Sequence, residues 1–173
     1  MSHLHRPTGM LRIAVLALVV LAGPVYADTL KIGDRLAELD VAVDAKGKAF
    51  KLKAYKGKWL LVTVGAAWCK PCAKELPAWD KVAGELKAKI TFIAIDIDNT
   101  VDDGKKFHDK LKIKNMTRVY MPDEKSGVGG SYGSDTMPTS FVADPQGVVR
   151  YVHHGFDQGD DKKLRDDLAK LLK

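Results

Sequence analysis

Two continuous apolar segments dominate the middle of the chain and predict its central strands. The segments KWLLVTVG (58–65) and ITFIAIDID (90–98) are rich in aliphatic and β-branched residues. Apolar runs without alternation are typical of strands that are buried on both faces. Between them, apolar residues recur at helical spacing over 71–89, which predicts a helix that is kinked at Pro77. A helix that joins two buried strands predicts a parallel pair.

Weaker patterns on both sides of this unit predict the remaining elements. Alternation over 39–43 and a turn at Lys46-Gly47 predict an N-terminal hairpin. The further predicted elements are a helix over 102–112, a strand over 117–123, a glycine-rich loop over 124–135, a hairpin with strands at 139–144 and 148–154, and a closing helix over 159–173. This order predicts an α/β domain in which helices flank a mixed central β-sheet, with an N-terminal β-hairpin extension.

The amino-terminal segment has a different pattern, which predicts a secretory signal. Arg12 precedes an apolar run over 13–22, and Val25 and Ala27 suit a cleavage site after Ala27. The run is short for a membrane-spanning helix, although an uncleaved anchor and a start at Met10 remain alternatives. We therefore predict a signal peptide over 1–27, one domain over 28–173, and a periplasmic or otherwise exported location.

The charge pattern narrows the expected partners. The full chain has a net charge of +6, and residues 1–27 contribute two arginines and no acidic residue, so the mature domain carries +4. Lysines alternate with acidic residues in segments such as DDKKLRDDLAK, which is typical of a solvated surface of mixed charge. We expect a monomer with no nucleic-acid partner, and with no membrane contact other than through an uncleaved leader.

The only two cysteines of the chain lie in one segment, GAAWCKPCAKELPAW (65–79). Cys69 stands where a buried strand has ended and a helix begins, so the free N–H groups of the helix and the charge of Lys70 favour a thiolate there. Pro71 suits the first helical position. Cys72 lies one turn inside the helix, within reach of a disulfide with Cys69. We predict that Cys69 attacks a substrate and that Cys72 resolves the mixed disulfide.

Other uses of the two thiols are less consistent with the sequence. A structural disulfide that closes only four residues constrains the unfolded chain weakly. A zinc site needs four ligands, and the adjacent His153 and His154 in a strand point in opposite directions. A thiol peroxidase normally places its cysteine in a different motif. A redox-inert module or copper chaperone on the same fold remains the alternative function.

Four motifs together carry a resemblance to a known family. The chain contains WCKPC, then AKELP, and later MPT and SFVAD. Over 33–173 it resembles the thioredoxin superfamily, and more narrowly the TlpA/ResA-like exported thiol–disulfide oxidoreductases. The resemblance implies a thioredoxin-like fold and electron exchange with protein disulfides or thiols, supported by an upstream electron donor. It also implies a reductant that needs no cofactor or metal beyond the Cys69–Cys72 pair, and suggests the maturation of c-type cytochromes.

The resemblance also implies substrate-binding residues. Pro138 corresponds to a cis-proline that faces the disulfide, and the backbone of Met137 would form strand-like hydrogen bonds with a bound substrate. Trp68 would pack beside the dithiol and restrict solvent, although simple core packing is an alternative role. The other implied substrate contacts are Lys70, Pro71 and Thr139.

Glu75 is the candidate proton acceptor that the resemblance implies. It lies three residues beyond Cys72, one helical turn further on, where related proteins have an acid close to the thiols. A partly buried carboxylate would have a raised pKa and could take the proton of Cys72. A surface glutamate stabilised by the helix N-terminus is the alternative. Cytoplasmic thioredoxins carry a buried aspartate six residues before the first cysteine, whereas this chain has Thr63, which does not titrate. Gly65 and Ala66 also depart from the usual pattern, which predicts a thinner wall behind the disulfide.

Overall fold

Six strands and three helices build the part of the chain that this computed structural model describes, residues 29–122, 130–133 and 136–173. The strands are β1 (Val43–Asp44), β2 (Trp59–Gly65), β3 (Ile90–Asp96), β4 (Thr117–Tyr120), β5 (Thr139–Ala143) and β6 (Val149–His154), and the helices are α1 (Cys72–Leu86), α2 (Val101–Lys110) and α3 (Asp160–Leu171). The predicted signal peptide over 1–27 and most of the predicted loop over 124–135 lie outside the described residues.

The strands form one mixed sheet in the order β1-β4-β3-β2-β5-β6. The two apolar runs become the parallel neighbours β2 and β3, paired from Trp59↔Ile90 to Gly65↔Asp96. Strand β4 extends the parallel part, whereas β1, β5 and β6 pair antiparallel to their neighbours. The predicted α/β fold class is confirmed, and the most apolar strands lie at the centre of the sheet because both of their faces are covered.

All three helices cover the same face of the sheet. Leu61, Phe92 and Val142 of the strands pack there against Trp79 of α1 and Leu164 of α3. The crossovers β2–α1–β3 and β3–α2–β4 step in the same direction along the sheet, and right-handed crossovers then place both helices on one face. The opposite face is covered by the amino-terminal segment and by the loop before β5, through the buried residues Leu39, Ala42, Phe50, Leu52 and Tyr132.

The predicted N-terminal hairpin is present in a short form. Val43 bridges Ala49, and Gly47 has the positive φ (77°) that the turn between them requires. Strand β1 also pairs with β4 and so forms one edge of the sheet. The hairpin therefore extends the sheet as well as covering its second face.

Several predicted element ends are too long by a few residues. Strand β3 ends at Asp96 because the N–H of Asp98 turns away to the side chain of Asp96 (3.0 Å to Oδ1). Helix α1 ends at Leu86, whose carbonyl accepts the N–H of Lys89 in a closing turn (2.8 Å). The helix continues through Pro77, and its kink remains a prediction. Among the described residues, no helix has the length and apolar character that crossing a bilayer requires.

Gly104 of α2 is required by the packing of the helix on the sheet. A Cβ atom at this position would lie 2.5 Å from Cγ of Asp96 and 2.9 Å from Cδ1 of Tyr120. Glycine-to-alanine changes in helices normally stabilise a protein. We expect Gly104→Ala to lower the free energy of unfolding by about 2 kcal/mol instead, because the strand and helix must separate. Urea unfolding measures this effect.

The matched control for this prediction is Gly84→Ala in α1, where the three atoms nearest to an added Cβ all belong to the side-chain amide of Asn115, at 3.1 to 3.3 Å. These distances are longer than those at Gly104, so we expect a smaller loss of stability even though the Asn115 amide is hydrogen-bonded to Asp80. Equal stability of the Gly104→Ala variant and the unsubstituted protein would contradict the close packing at Asp96.

Candidate active site

Cys69 and Cys72 form a disulfide at the carboxyl end of β2, where α1 begins. Their Cα atoms are 5.3 Å apart. The loop between strand and helix is tied locally, because the N–H of Cys69 donates to the carbonyl of Ala66 (3.0 Å) and its carbonyl accepts the N–H of Ala73 (3.2 Å). The sequence predicted this pairing from its spacing.

The two sulfurs have different surroundings. Cys69 is 6% exposed, whereas Cys72 is fully buried, so Cys69 is the residue of the pair that a partner can contact. The N–H of Cys72, the first residue of α1, donates to Sγ of Cys69 (3.2 Å). A free N–H at a helix N-terminus favours negative charge on the atom it points at. A thiolate at Cys69 in the dithiol form remains a prediction that this contact and the exposed neighbour Lys70 favour.

Glu75 is fully buried on the helix face of the sheet. Its Oε2 accepts a hydrogen bond from the hydroxyl of Thr63 on β2 (2.8 Å), and its Oε1 accepts one from the hydroxyl of Ser140 on β5 (2.8 Å). Burial raises the pKa of Glu75 to about 7, although the hydrogen bonds from Ser140 and Thr63 oppose that rise. The alternative of a surface glutamate is wrong, and Thr63 contacts Glu75 from the position where a thioredoxin has its buried aspartate.

A second layer of side chains supports this carboxyl group. The indole N–H of Trp79 donates to the hydroxyl of Ser140 (2.9 Å), which therefore has its proton directed at Glu75. The ring of Trp79 packs on His153 of β6 (5.7 Å between centroids), and Nε2 of His153 lies 3.1 Å from Oδ2 of Asp160. These contacts fix the orientation of Ser140, and through it the position of the Glu75 carboxyl.

Gly65 lies directly behind the disulfide. A Cβ atom there would lie 3.3 Å from Cβ of Cys72 and 3.7 Å from its sulfur. Cys72 therefore occupies the space that a side chain at position 65 would take. At the predicted thin wall, β2 and the first turn of α1 are in close contact.

Pro138 lies at the same end of the sheet as the disulfide. Val64 of β2 pairs with Thr139, so the residue before β5 stands beside the end of β2. The Met137-Pro138 peptide bond is cis, as the resemblance implied. Met137 makes no backbone hydrogen bond to another described residue, and its strand-like pairing with a substrate remains a prediction. Thr139 is buried and bonded to Thr136 and His154, so its side chain supports the loop.

Trp68 is 64% exposed beside Cys69, so core packing of this residue is wrong. It lines one side of an open groove of about 590 Å³, and the opposite wall is formed by α2, including Phe107 and Lys110. Lys70 and Pro71 are also exposed. These residues are exposed beside Cys69, and their roles in substrate binding remain predictions.

Sequence reasoning missed two residues of the site. Ser140 was assigned only to a strand, although it is the second donor to Glu75. Asp98 was assigned to the end of a strand, although its carboxylate accepts the N–H of Ala67 in the active-site loop (2.9 Å). Ser140 in TSFVA and Asp98 in AIDID are polar residues inside or just after an apolar strand. That pattern is the sequence signal that could have identified both residues.

We expect Ser140→Ala to raise the pKa of Glu75 further, because the variant loses a hydrogen bond that favours the carboxylate. The expected rise is about one pH unit. Infrared difference spectroscopy of the carboxyl C=O band against pH measures this shift, with Glu75→Gln to assign the band. Ser131→Ala removes a hydroxyl that does not hydrogen-bond to Glu75, and it is expected to leave the midpoint unchanged. An unchanged midpoint in Ser140→Ala would contradict the assigned hydrogen bond.

Comparison with known proteins agrees with this geometry. Residues 32–152 match the AhpC/TSA family. This chain belongs to the AhpC/TSA family, whose fold is thioredoxin-like. A relative in Bacillus thuringiensis (strain Al Hakam), the thiol–disulfide oxidoreductase ResA, is 32% identical over 146 residues, which cover 78% of this chain and 82% of the relative.

Solved structures of similar proteins have the same fold. A thiol:disulfide interchange protein from Bacteroides sp. is 25% identical, with a TM-score of 0.69 over 83% of this chain and 91% of that one. The thioredoxin domain of a thiol–disulfide oxidoreductase from Bacteroides vulgatus is 26% identical, with a TM-score of 0.65 over 84% of this chain and 100% of that one. The AhpC/TSA protein described here is accordingly a thiol–disulfide oxidoreductase, and its Cys69–Cys72 pair fits a redox-active dithiol.

The described residues contain no group of three or more His, Cys, Asp or Glu side chains placed to hold a metal ion. His153 is one of the histidines weighed above as zinc ligands. Its ring nitrogen contacts the carboxylate of Asp160, and its ring packs on Trp79.

Proposed function

We propose that this protein reduces disulfide bonds in exported proteins, with Cys69 as the attacking sulfur, Cys72 as the resolving sulfur and Glu75 as the proton acceptor for Cys72. The observation that carries this proposal is the complete burial of the Glu75 carboxyl group one helical turn beyond Cys72. Burial raises the pKa of Glu75 to about 7. A group with a pKa near the working pH can both accept and release a proton.

The reaction starts from the dithiol. The thiolate of Cys69 attacks one sulfur of a substrate disulfide, the substrate S–S bond breaks, and the leaving thiolate takes a proton from solvent. Cys72 then gives its proton to the Glu75 carboxylate, and its thiolate attacks Sγ of Cys69. The mixed disulfide breaks, the second substrate thiolate leaves, and the protein retains the Cys69–Cys72 disulfide. Two electrons have passed to the substrate, and an upstream dithiol donor restores the reduced protein.

Two features support a location outside the cytoplasm. The sequence pattern over 1–27 predicts a secretory signal. An oxidising compartment also supplies the protein disulfides that such a reductant needs. Maturation of c-type cytochromes, which requires reduced cysteines in the acceptor protein, is one process that fits this role. We further propose that the protein acts as a monomer, with no cofactor other than its own dithiol.

Redox titration tests the direction of electron flow. The purified protein is equilibrated with glutathione buffers, and the Cys69–Cys72 pair is quantified after thiol trapping. A reductant should have a potential more negative than about −200 mV, so that the dithiol gives electrons to the glutathione pool. A potential near that of strongly oxidising periplasmic proteins, about −120 mV, would contradict the proposed direction.

Metal analysis tests the alternative of a copper chaperone. The reduced protein is mixed with Cu(I) and then competed against a chelator. Stoichiometric copper that survives the competition, together with absent insulin reduction, would favour that alternative over the oxidoreductase mechanism.

A further inference from the structure

Two buried carboxyl groups lie at the end of β3, beside the loop that carries Cys69. Asp96 is the last residue of β3, Asp98 follows two residues later, and they are 1% and 6% exposed. The N–H of Asp98 donates to Oδ1 of Asp96 (3.0 Å), and Oδ2 of Asp98 accepts the N–H of Ala67 (2.9 Å). Ala67 stands two residues before Cys69, so this chain of contacts joins the end of β3 to the active-site loop.

Within the described residues, Asp98 is the side chain that accepts a hydrogen bond from Ala67, in the part of the loop before Cys69. The end of the loop is held by the Cys69–Cys72 disulfide and by the N–H of Cys72 on Sγ of Cys69. The N–H of Ile97 donates to the carbonyl of Gly65 (3.0 Å), and the N–H of Cys69 donates to the carbonyl of Ala66 (3.0 Å). The first bond continues the pairing of β2 with β3, and the second is internal to the loop. Asp98 is therefore the side chain that connects the middle of the loop to the sheet.

The surroundings of Asp96 favour the neutral form of its carboxyl group. Burial raises the pKa of Asp96 to about 8, and the charge of Asp98 adds to that rise. In the part of the chain that the structure describes, Asp103 at the start of α2 and Tyr120 on β4 also face Asp96, and neither supplies a positive charge. A charged acceptor forms the stronger hydrogen bond, which favours a firm contact from Asp98 to Ala67.

We propose that Asp98 is a positioning residue for disulfide exchange, because its carboxylate holds the N–H of Ala67 and so fixes the loop that presents Trp68 and Cys69. Asp96 in turn holds Asp98, because its carboxyl oxygen accepts the backbone N–H of Asp98. This inference rests on the proposed function, since it concerns the presentation of the attacking sulfur.

The expected consequence is a preorganised nucleophile. With the loop fixed, Sγ of Cys69 stays within reach of the N–H of Cys72, which stabilises the thiolate. A freed loop would populate this geometry for a smaller part of the time, so both the thiolate fraction and the rate of attack would fall. Above about pH 8 ionisation of Asp96 would place two negative charges together and weaken the same tie.

The test compares four variants of the full chain with the unsubstituted protein. Asp98→Ala removes the acceptor, Asp98→Asn keeps an acceptor oxygen without charge, and Asp96→Asn removes the ionisation of Asp96. Asp102→Asn is the matched control, because Asp102 is an exposed carboxylate at the start of α2. The measurements are the second-order rate constant of the reduced protein with glutathione disulfide, the fraction of Cys69 alkylated as thiolate at neutral pH, and the urea unfolding curve.

We expect Asp98→Ala to lower the rate constant about tenfold, with a parallel fall in the thiolate fraction. Asp98→Asn should keep most of the rate constant and thiolate fraction that Asp98→Ala loses. Asp102→Asn should change neither quantity. The Ala67 amide proton resonance of the unsubstituted protein should titrate with a midpoint near pH 8 and should not titrate in Asp96→Asn. A fall in unfolding free energy in Asp98→Ala with an unchanged thiolate fraction would assign a purely structural role and overturn the inference.

Two controls separate the possible failures. If Asp98→Ala does not fold, amide hydrogen exchange of Ala67 in the unsubstituted protein still decides, because unprotected exchange there would overturn the inference. If the unsubstituted protein fails to reduce disulfides, the proposed function is wrong. If it is active and Asp98→Ala matches it in rate and thiolate fraction, only the positioning role is wrong.

Discussion

Replacement of Cys69 by serine is expected to abolish disulfide reduction by this protein. The hydroxyl of serine is not an effective nucleophile toward a disulfide, and Cys72 is fully buried and cannot substitute for the lost thiolate. We expect the rate of insulin reduction to fall at least about a thousandfold, to the uncatalysed background. Turbidity of reduced insulin, with dithiothreitol as the electron source, measures the effect.

Cys72→Ser is the matched variant for this experiment. It keeps the attacking sulfur and loses the resolving one, so a disulfide-linked adduct with the substrate should accumulate at Cys69. Mass spectrometry of the trapped adduct identifies the linked cysteine. Two results would contradict the assigned roles of the sulfurs. One is insulin reduction by Cys69→Ser, and the other is a substrate adduct at Cys72 of Cys69→Ser.

Glu75→Gln is expected to slow the resolution step about a hundredfold, because the amide cannot accept the proton of Cys72. In the unsubstituted protein the carboxyl changes from an inactive acid to an active base as the pH rises through about 7. The rate of resolution should therefore rise through that range and then level off, and Glu75→Gln should lose this step. Stopped-flow mixing of the reduced protein with an excess of a fluorescent disulfide peptide resolves the two phases.

The control for Glu75→Gln is Glu85→Gln on the same helix. Glu85 is held by Arg165 on the surface, and that contact lowers its pKa. We expect Glu85→Gln to leave the resolution rate and its pH profile unchanged. A Glu75→Gln variant that retains the unsubstituted pH profile would assign the titrating group to another residue.

The raised pKa of Glu75 also predicts how stability depends on pH. Between pH 4.5 and about 7, the unfolded chain has lost the proton of Glu75 while the folded protein keeps it, so folding becomes less favourable as the pH rises. The shift corresponds to about 3 kcal/mol for this buried group. Glu75→Gln has no such pH dependence at this position. We therefore expect the free energy of unfolding of Glu75→Gln, measured relative to the unsubstituted protein, to rise by up to about 3 kcal/mol from pH 4 to pH 8. Urea unfolding of the oxidised proteins at both pH values measures the difference.

Local patterns predicted the parts of this molecule that depend on neighbours in the sequence. The two apolar runs predicted β2 and β3, and the spacing of Cys69 and Cys72 predicted a disulfide at a helix N-terminus. The cis peptide bond before Pro138 followed from the resemblance and is present. Each of these features is contained within a few residues or within one crossover unit, so a single sequence carries enough information.

Features that depend on distant segments could not be predicted in the same way. The depth of Glu75 is set by Thr63 and Ser140, which lie 12 and 65 residues away along the chain. The tie from Asp98 to Ala67 spans 31 residues. Trp68 is apolar enough for a core, yet the loop leaves it exposed beside the groove. Side-chain burial depends on which strands become neighbours, and the sequence pattern alone does not contain that information.

The ionisation of Cys69 in the reduced protein tests the central claim most directly, since exchange depends on a sulfur held charged at the start of α1. The measurement is the rate of iodoacetamide alkylation of Cys69 in Cys72→Ser, followed against pH by mass spectrometry. The account predicts that the rate has already reached half of its maximum well below pH 8.5, the value for an ordinary thiol. A profile that matches an unstructured cysteine peptide would contradict it.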